Sequence, residues 1–306
     1  MMADQPEADQ PSITIVLPTY NRAEALRANL QSTLALERVD EVLVINDGSD
    51  DDTIMVCESF DDERLRLINH PRNLGVAAAR NTGIEHARGQ WVLFSEDDCR
   101  FPIDYAAVLQ AEAKRLDADI VGAPLLHVAG TEAETAAFLA SAPRTERPSM
   151  DDTSVIPMHA VQTPFVPARA LVRGAVFERV RFYEGFQVNG YREETDFFVQ
   201  AARAGFRCIL TPATFCYQAG FWGGGQHHST TLLYEYWTAR NNWLFLRRHG
   251  DWLASQGYIT SAPRAQLRFM GDRARKLAMG VARARMSRTL AKLSATRSGV
   301  RDEPRS

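Results

Sequence analysis

Trp91-Val92-Leu93-Phe94 runs directly into Ser95-Glu96-Asp97-Asp98-Cys99. Four large apolar residues in a row read as a short strand buried on both faces. The strand then stops at three adjacent carboxylates. Such a triplet repels itself unless a cation receives it. A hard divalent ion that also holds a phosphate is the natural partner, since Mg²⁺ and Mn²⁺ prefer oxygen ligands and keep substrate phosphates in their shell. One helix upstream stands Asn73-Leu74-Gly75-Val76-Ala77-Ala78-Ala79-Arg80-Asn81, which places an Arg-Asn pair near a helix start. Together the two stretches point to chemistry on a diphosphate compound.

Working outward, strands and helices alternate. Ile13–Leu17 is a β-branched run stopped by Pro18, and Ala23–Leu36 is helical, with Leu26, Leu30 and Leu34 on one face. Val42–Ile45 is a second buried strand, ending at Asn46-Asp47-Gly48-Ser49. Asp51 or Asp52 can cap the helix that follows to Phe60. Leu65–Ile68 is a strand and Gly75–Ala87 a helix closed by Gly89. This alternation predicts an α/β fold with a mostly parallel central sheet covered by helices. In open α/β sheets ligands bind at the carboxyl ends of the strands. The clusters Thr19-Tyr20-Asn21-Arg22, Asn46-Asp47-Gly48-Ser49 and Glu96-Asp97-Asp98 all lie at such ends.

The second half is less regular. Asp104–Leu116 reads as a helix and Ile120–Gly122 as a strand. Residues 141–160, rich in Pro, Arg and Ser, read as a mobile loop. A helix begins near Arg192-Glu193-Glu194-Thr195-Asp196, two strands follow at Cys208–Leu210 and Thr214–Tyr217, and Gly223-Gly224-Gly225-Gln226-His227-His228 is a flexible loop. From Ser229 onward the pattern is helical, and Tyr236, Trp237, Trp243 and Phe245 read as core aromatics more readily than as an acceptor groove. The organisation expected is a disordered leader at 1–11, a catalytic domain at 12–225 and a helical extension with a basic tail at 226–306.

Composition bounds the function class. The 306 residues carry a net charge of −3, so the chain as a whole does not call for nucleic acid. The charge is uneven: residues 264–306 hold twelve Lys/Arg against three Asp/Glu, a net +9, which leaves −12 for the rest. Leu267, Met270, Leu277 and Val281 fall near helical spacing among the arginines. A basic amphipathic helix of this kind can lie on an anionic membrane surface or dock on the acidic body of its own chain. The four cysteines, Cys57, Cys99, Cys208 and Cys216, form no C-x-x-C pair and read as reduced packed thiols. No apolar run approaches the ~20 residues of a membrane span, and Met1–Pro11 does not resemble a signal peptide. The expected location is cytoplasmic, or peripheral on the inner face of the membrane.

Five pieces in order resemble the family-2 glycosyltransferases, inverting enzymes with a GT-A nucleotide-sugar-binding fold. They are Pro18-Thr19-Tyr20-Asn21-Arg22, Asn46-Asp47-Gly48-Ser49-Asp50-Asp51-Asp52-Thr53, Asn73-Leu74-Gly75 with Ala79-Arg80-Asn81, Phe94-Ser95-Glu96-Asp97-Asp98, and Arg192-Glu193-Glu194-Thr195-Asp196-Phe197. The resemblance covers roughly residues 12–250. It implies a nucleotide-sugar donor, with uridine suggested for the base, a glycan or lipid-linked acceptor, and Mn²⁺ or Mg²⁺ as cofactor. By the same resemblance, Asp47 would accept a hydrogen bond from the base, with Pro18 and Tyr20 in that pocket. Arg80 would approach the nucleotide or its diphosphate, and Asp97 the ribose. Asp98 would bind the metal. Glu96 stands at the first position of the family's D-x-D motif, where Asp is usual. Glu194 or Glu193 would be the catalytic base, and His227 or His228 would lie near the metal-bound diphosphate.

The chemistry agrees with these residue types. An inverting transfer is one in-line displacement, so it needs one carboxylate to take the acceptor's proton and positive charge to meet the leaving diphosphate. Plainer readings stand beside these. Asp47-Gly48-Ser49 also suits a turn, and Glu193, Glu194 and Asp196 suit a first helical turn, where acids are favoured by the helix dipole. A catalytically silent nucleotide-binding or scaffold protein is the rival from another class. A sugar-phosphate nucleotidyltransferase would need a Gly-rich basic loop after the first strand, where Pro18-Thr19-Tyr20-Asn21-Arg22 stands instead. A nicotinamide dehydrogenase would need G-x-G-x-x-G there.

Overall fold

A computed structural model describes residues 12–126, 132–151, 155–218 and 231–279. The leader at 1–11 and the Gly-rich loop at 223–228, with His227 and His228, lie outside the described residues. The chain divides into two compact units, Met1–Phe245 and Leu246–Ser306.

The first unit is built on β1 (Ile13–Thr19), α1 (Ala23–Leu34), β2 (Glu41–Asn46), α2 (Thr53–Glu58), β3 (Leu65–Asn69), α3 (Val76–His86) and β4 (Trp91–Phe94). The expected strand–helix alternation forms a parallel core, β4-β1-β2-β3. Every residue of β1 is buried. Ile13, Ile15 and Leu17 pack with Leu26, Leu30 and Leu34 of α1 on one face. Val16 packs with Ala77 and Ala79 of α3, Phe94 and Phe197 on the other. A strand with two buried faces reads as a nearly continuous apolar run; here Thr14 interrupts it, and its hydroxyl donates to Glu41 at 2.7 Å. On the second face α3 comes so close to β1 that a Cβ at Gly83 would sit 2.2 Å from Val16 Cγ1.

After the short β5 (Cys99–Arg100) and α4 (Tyr105–Leu116), the strands are β6 (Ile120–Gly122), β7 (Leu125–Leu126), β8 (Arg144–Thr145), β9 (Ile156–Pro157), β10 (Val161–Gln162), β11 (Leu171–Arg173), β12 (Cys208–Leu210) and β13 (Cys216–Gln218). The helices are α5 (Glu132–Ser141), α6 (Glu193–Arg203), α7 (Thr231–Ser255) and, in the second unit, α8 over 262–279. The main sheet has eight strands in the order β10-β12-β6-β11-β4-β1-β2-β3. It is mostly parallel, as expected, with four of its seven pairings parallel and three antiparallel. β11 lies antiparallel between β4 and β6, and β10 is antiparallel to β12. Three-residue strands carry too little pattern to announce their direction.

Two expectations change. Within 141–160, β8 and β9 pair in parallel, Ile156 is buried, and Met150 and Asp151 are tied to Arg192. Of the aromatics of α7, Phe245 is core, but Tyr236 is 60% and Trp243 47% exposed. The four cysteines are free and buried, as expected.

Candidate functional site

A cavity of about 430 Å³ opens at the carboxyl ends of β1, β2 and β4. Pro18, Tyr20, Asp47, Arg80, Glu96, Asp97, Glu193 and Glu194 line it, along with Arg22, Met150, Asp151 and Arg192. Residues from six separate stretches of sequence therefore meet in one place. Asp98 lies beside the cavity, held by Arg22 and Gln218. His228 is not among the described residues.

Three guanidinium groups organise the acids. Arg22 bridges Asp97 at 2.8 Å and Asp98 at 2.9 Å. Arg80, almost fully buried, donates to Glu96 at 2.9 Å and to both carboxylate oxygens of Glu193. Arg169 pairs with the other oxygen of Glu96 and reaches Cys99 Sγ through Nε at 3.0 Å. Arg169 had no place in the sequence motifs. Its only signal is a charged residue set in the apolar run Val166-Pro167-Ala168-Arg169-Ala170-Leu171. Gln218 also escaped notice, and Thr19 stood in its cluster without a role of its own; they donate to Asp98 at 3.0 Å and Asp97 at 2.8 Å.

The two glutamates of α6 differ. Glu193 is locked against Arg80. Glu194 is half-buried, and its Oε2 accepts the Ala168 N–H at 3.0 Å. Burial pushes Glu193 up to about 7, against the opposing pull of Arg80. Burial raises Glu194 as well, and Arg169 and Arg80 hold it back. Asp97 is pushed by burial up to about 7 despite Arg22. Asp98 goes the other way: burial opposes its charge, yet Arg22 and Arg169 keep it below the usual carboxylate range.

Asp47 is engaged as well. Its oxygens accept the backbone N–H groups of Leu74 at 2.9 Å and Gly75 at 2.8 Å, and lie 2.7 Å from His70 Nδ1. It pins the turn that starts α3. A carboxylate offers roughly four acceptor positions, so one is left for a ligand. Gly48 makes this turn possible: its φ is +75°, and a Cβ there would fall 2.4 Å from the Arg72 carbonyl carbon.

Glu96, Asp98 and Cys99 bring potential metal-ligating atoms within 4.8 Å of one another. Burial raises the Cys99 thiol well above its ordinary value, so it stays protonated and suits a hard cation poorly. The two carboxylates suit one well.

The profile of Glycosyl transferase family 2 matches residues 14–159. The succinoglycan biosynthesis protein ExoO of Rhizobium meliloti (strain 1021) is 28% identical over 208 residues, 66% of this chain and 59% of its own length. The dolichyl-phosphate beta-glucosyltransferase ALG5C of Trichomonas vaginalis is 34% identical over 135 residues, 39% of this chain and 40% of its own. The chain thus spans between two fifths and three fifths of these relatives. Among solved structures, the mannosyltransferase PcManGT from Pyrobaculum calidifontis, in complex with GDP-Man and Mn²⁺, superposes with a TM-score of 0.56 at 19% identity, over 79% of this chain and 64% of that one. With this sheet the chain has the GT-A fold, and residues 14–159, which include the acidic triplet after β4, are similar to glycosyl transferase family 2.

Proposed function

We propose that this chain is an inverting glycosyltransferase that moves a sugar from a nucleotide-diphosphate sugar, a UDP-sugar first, to a hydroxyl on a cell-envelope glycan or lipid-linked acceptor. The observation that carries this reading is the single cavity in which the Asp47 turn, the Arg22-bridged Asp97-Asp98 pair and the α6 glutamates converge. The relatives named for succinoglycan biosynthesis and for dolichyl-phosphate support the acceptor class.

In this reading the remaining acceptor position of Asp47 takes the base, with Pro18 and Tyr20 beside it, and Asp97 takes the ribose. Glu194 is the base, because Glu193 is committed to Arg80. Glu194 removes the proton of the acceptor hydroxyl. That oxygen attacks the anomeric carbon from the face opposite the diphosphate, the carbon–oxygen bond to the diphosphate breaks, and the configuration inverts. The proton stays on Glu194. Arg80 keeps Glu193 and Glu96 in place. Asp98 and Glu96, with His228 as a further candidate, would hold Mn²⁺ or Mg²⁺, which when bound supplies positive charge for the leaving nucleoside diphosphate. The basic carboxyl-terminal region is assigned to an anionic membrane surface, on the inner face of a cell membrane.

The test is release of nucleoside diphosphate from a panel of nucleotide sugars, with and without Mn²⁺. Slow metal-dependent hydrolysis of one donor is expected. No release from any donor, together with no metal-dependent thermal shift, would leave a silent nucleotide-binding protein instead.

A further inference from the structure

His70 stands one residue past β3, beside the turn that Asp47 pins. Its backbone N–H donates to the Asn46 carbonyl at 2.9 Å, which ties it to the end of β2. Its ring is 8% exposed and lies between two side chains. Nδ1 is 2.7 Å from Asp47 Oδ1, and Nε2 is 2.9 Å from Thr82 Oγ1 in α3. A carboxylate only accepts, so Nδ1 carries a proton and donates. In the neutral ring the Thr82 hydroxyl donates to Nε2, which holds that tautomer.

The acceptor positions of Asp47 are therefore unequally filled. Oδ1 takes the Leu74 N–H at 2.9 Å and the His70 ring, which uses both of its positions. Oδ2 takes the Gly75 N–H at 2.8 Å, so the open position is on Oδ2. Two of the three bonds come from the backbone of the turn. Only the His70 bond comes from a side chain.

We propose that His70 sets the base specificity of the donor site by closing Asp47 Oδ1, on the reading above that Asp47 receives the base. Uracil presents one ring N–H, between two carbonyls, and a single acceptor answers it. Guanine presents two neighbouring donors, its ring N–H and its amino group. They pair with a carboxylate side by side only when both oxygens are open. With Oδ1 filled, the second donor of guanine loses water and gains no partner, which weakens its binding. Specificity against guanine then comes from a position withheld. His70 is not among the residues that line the cavity, so it acts through Asp47 as a positioning residue.

Calorimetry of the full chain with Mn²⁺ and UDP, N3-methyl-UDP or GDP tests this. The wild type should bind UDP at least about tenfold more tightly than either of the others. His70→Leu opens Oδ1, so the preference for UDP over GDP should shrink by about tenfold. His70→Asn returns an amide N–H to the place of Nδ1 and should restore the preference; a packing defect alone would not be repaired in that ratio. Equal wild-type affinity for UDP and GDP overturns the proposal. If His70→Leu keeps the wild-type preference while N3-methyl-UDP binds weakly, the role of His70 falls and the base contact at Asp47 stands. Tight wild-type binding of N3-methyl-UDP, or no binding of any of the three, overturns that base contact and this proposal with it. If His70→Leu folds poorly, magnetic resonance of the nitrogen-labelled wild type serves: the Nδ1–H signal of His70 should persist when UDP binds, and its loss overturns the proposal.

Discussion

Arg80 and Glu193 lie 113 residues apart in the chain, yet Nη1 of Arg80 stands 2.6 Å and 2.5 Å from the two carboxylate oxygens of Glu193. Both side chains are buried. The pair joins the middle of α3 to the start of α6. Removing one partner leaves a buried charge unmatched, so Arg80→Met should destabilise by about 3–5 kcal/mol. Arg80→Met with Glu193→Met should cost less than the two single changes summed. Urea denaturation of the four proteins checks this; additive losses would show that the pair does not act as a unit.

Asp97 and Glu193 give the metal-free protein a definite pH dependence. Both are raised from ordinary carboxylate values to about 7. Between the ordinary carboxylate range and about 7, the folded form holds protons that the unfolded form has lost. Stability therefore falls as pH rises through that window. Cation binding runs the other way, because it needs the ionised acids. Denaturation in EDTA at pH 5 and pH 8 should show lower stability at pH 8, and Mn²⁺ affinity should rise over the same interval. A stability that climbs with pH would contradict the buried, proton-holding acids.

Glu194 and Glu193 separate by function. Glu194→Gln should lower transfer by about 10²–10⁴-fold while donor binding persists, since it removes only proton acceptance. Arg169 helps hold Glu194 ionised, so Arg169→Gln should move the rising limb of the pH–rate profile to higher pH. If Glu193→Gln abolishes turnover with binding intact and Glu194→Gln does not, the base is the neighbour.

Asp98→Asn should remove metal-dependent donor binding. The readout is Mn²⁺ uptake followed by electron paramagnetic resonance, alongside calorimetry with the nucleoside diphosphate. Unchanged uptake would clear Asp98 of any metal role.

Gly83→Ala tests the approach of α3 to β1. The new Cβ would meet Val16 Cγ1 at 2.2 Å, so a loss of about 1–3 kcal/mol is expected. Val16→Ala in the same chain should recover part of it.

Much of the scaffold was legible because β1, β2 and β4 are buried on both faces and are therefore nearly continuous apolar runs. The polar clusters were legible because they end those strands. The direction of β11 was not, because three residues pair equally well either way until their neighbours are in place. Neither was Arg169, whose worth depends on Glu96 and Cys99 about seventy residues earlier. The outward turn of Tyr236 and Trp243 was hidden too: aromatics at helical spacing suit a core until Asn189, Gln187 and Arg192 fix which side of α7 faces inward.

By itself, then, the sequence determined the alternation of elements, the family resemblance and the acidic identity of the site, because local hydrophobic period and short motifs are properties of neighbouring residues. Only the tertiary structure decided how the charges pair. Ion pairing depends on distance in space, and the chain brings Arg22, Arg80 and Arg169 to their carboxylates only after α3, β4, β11 and α6 have packed.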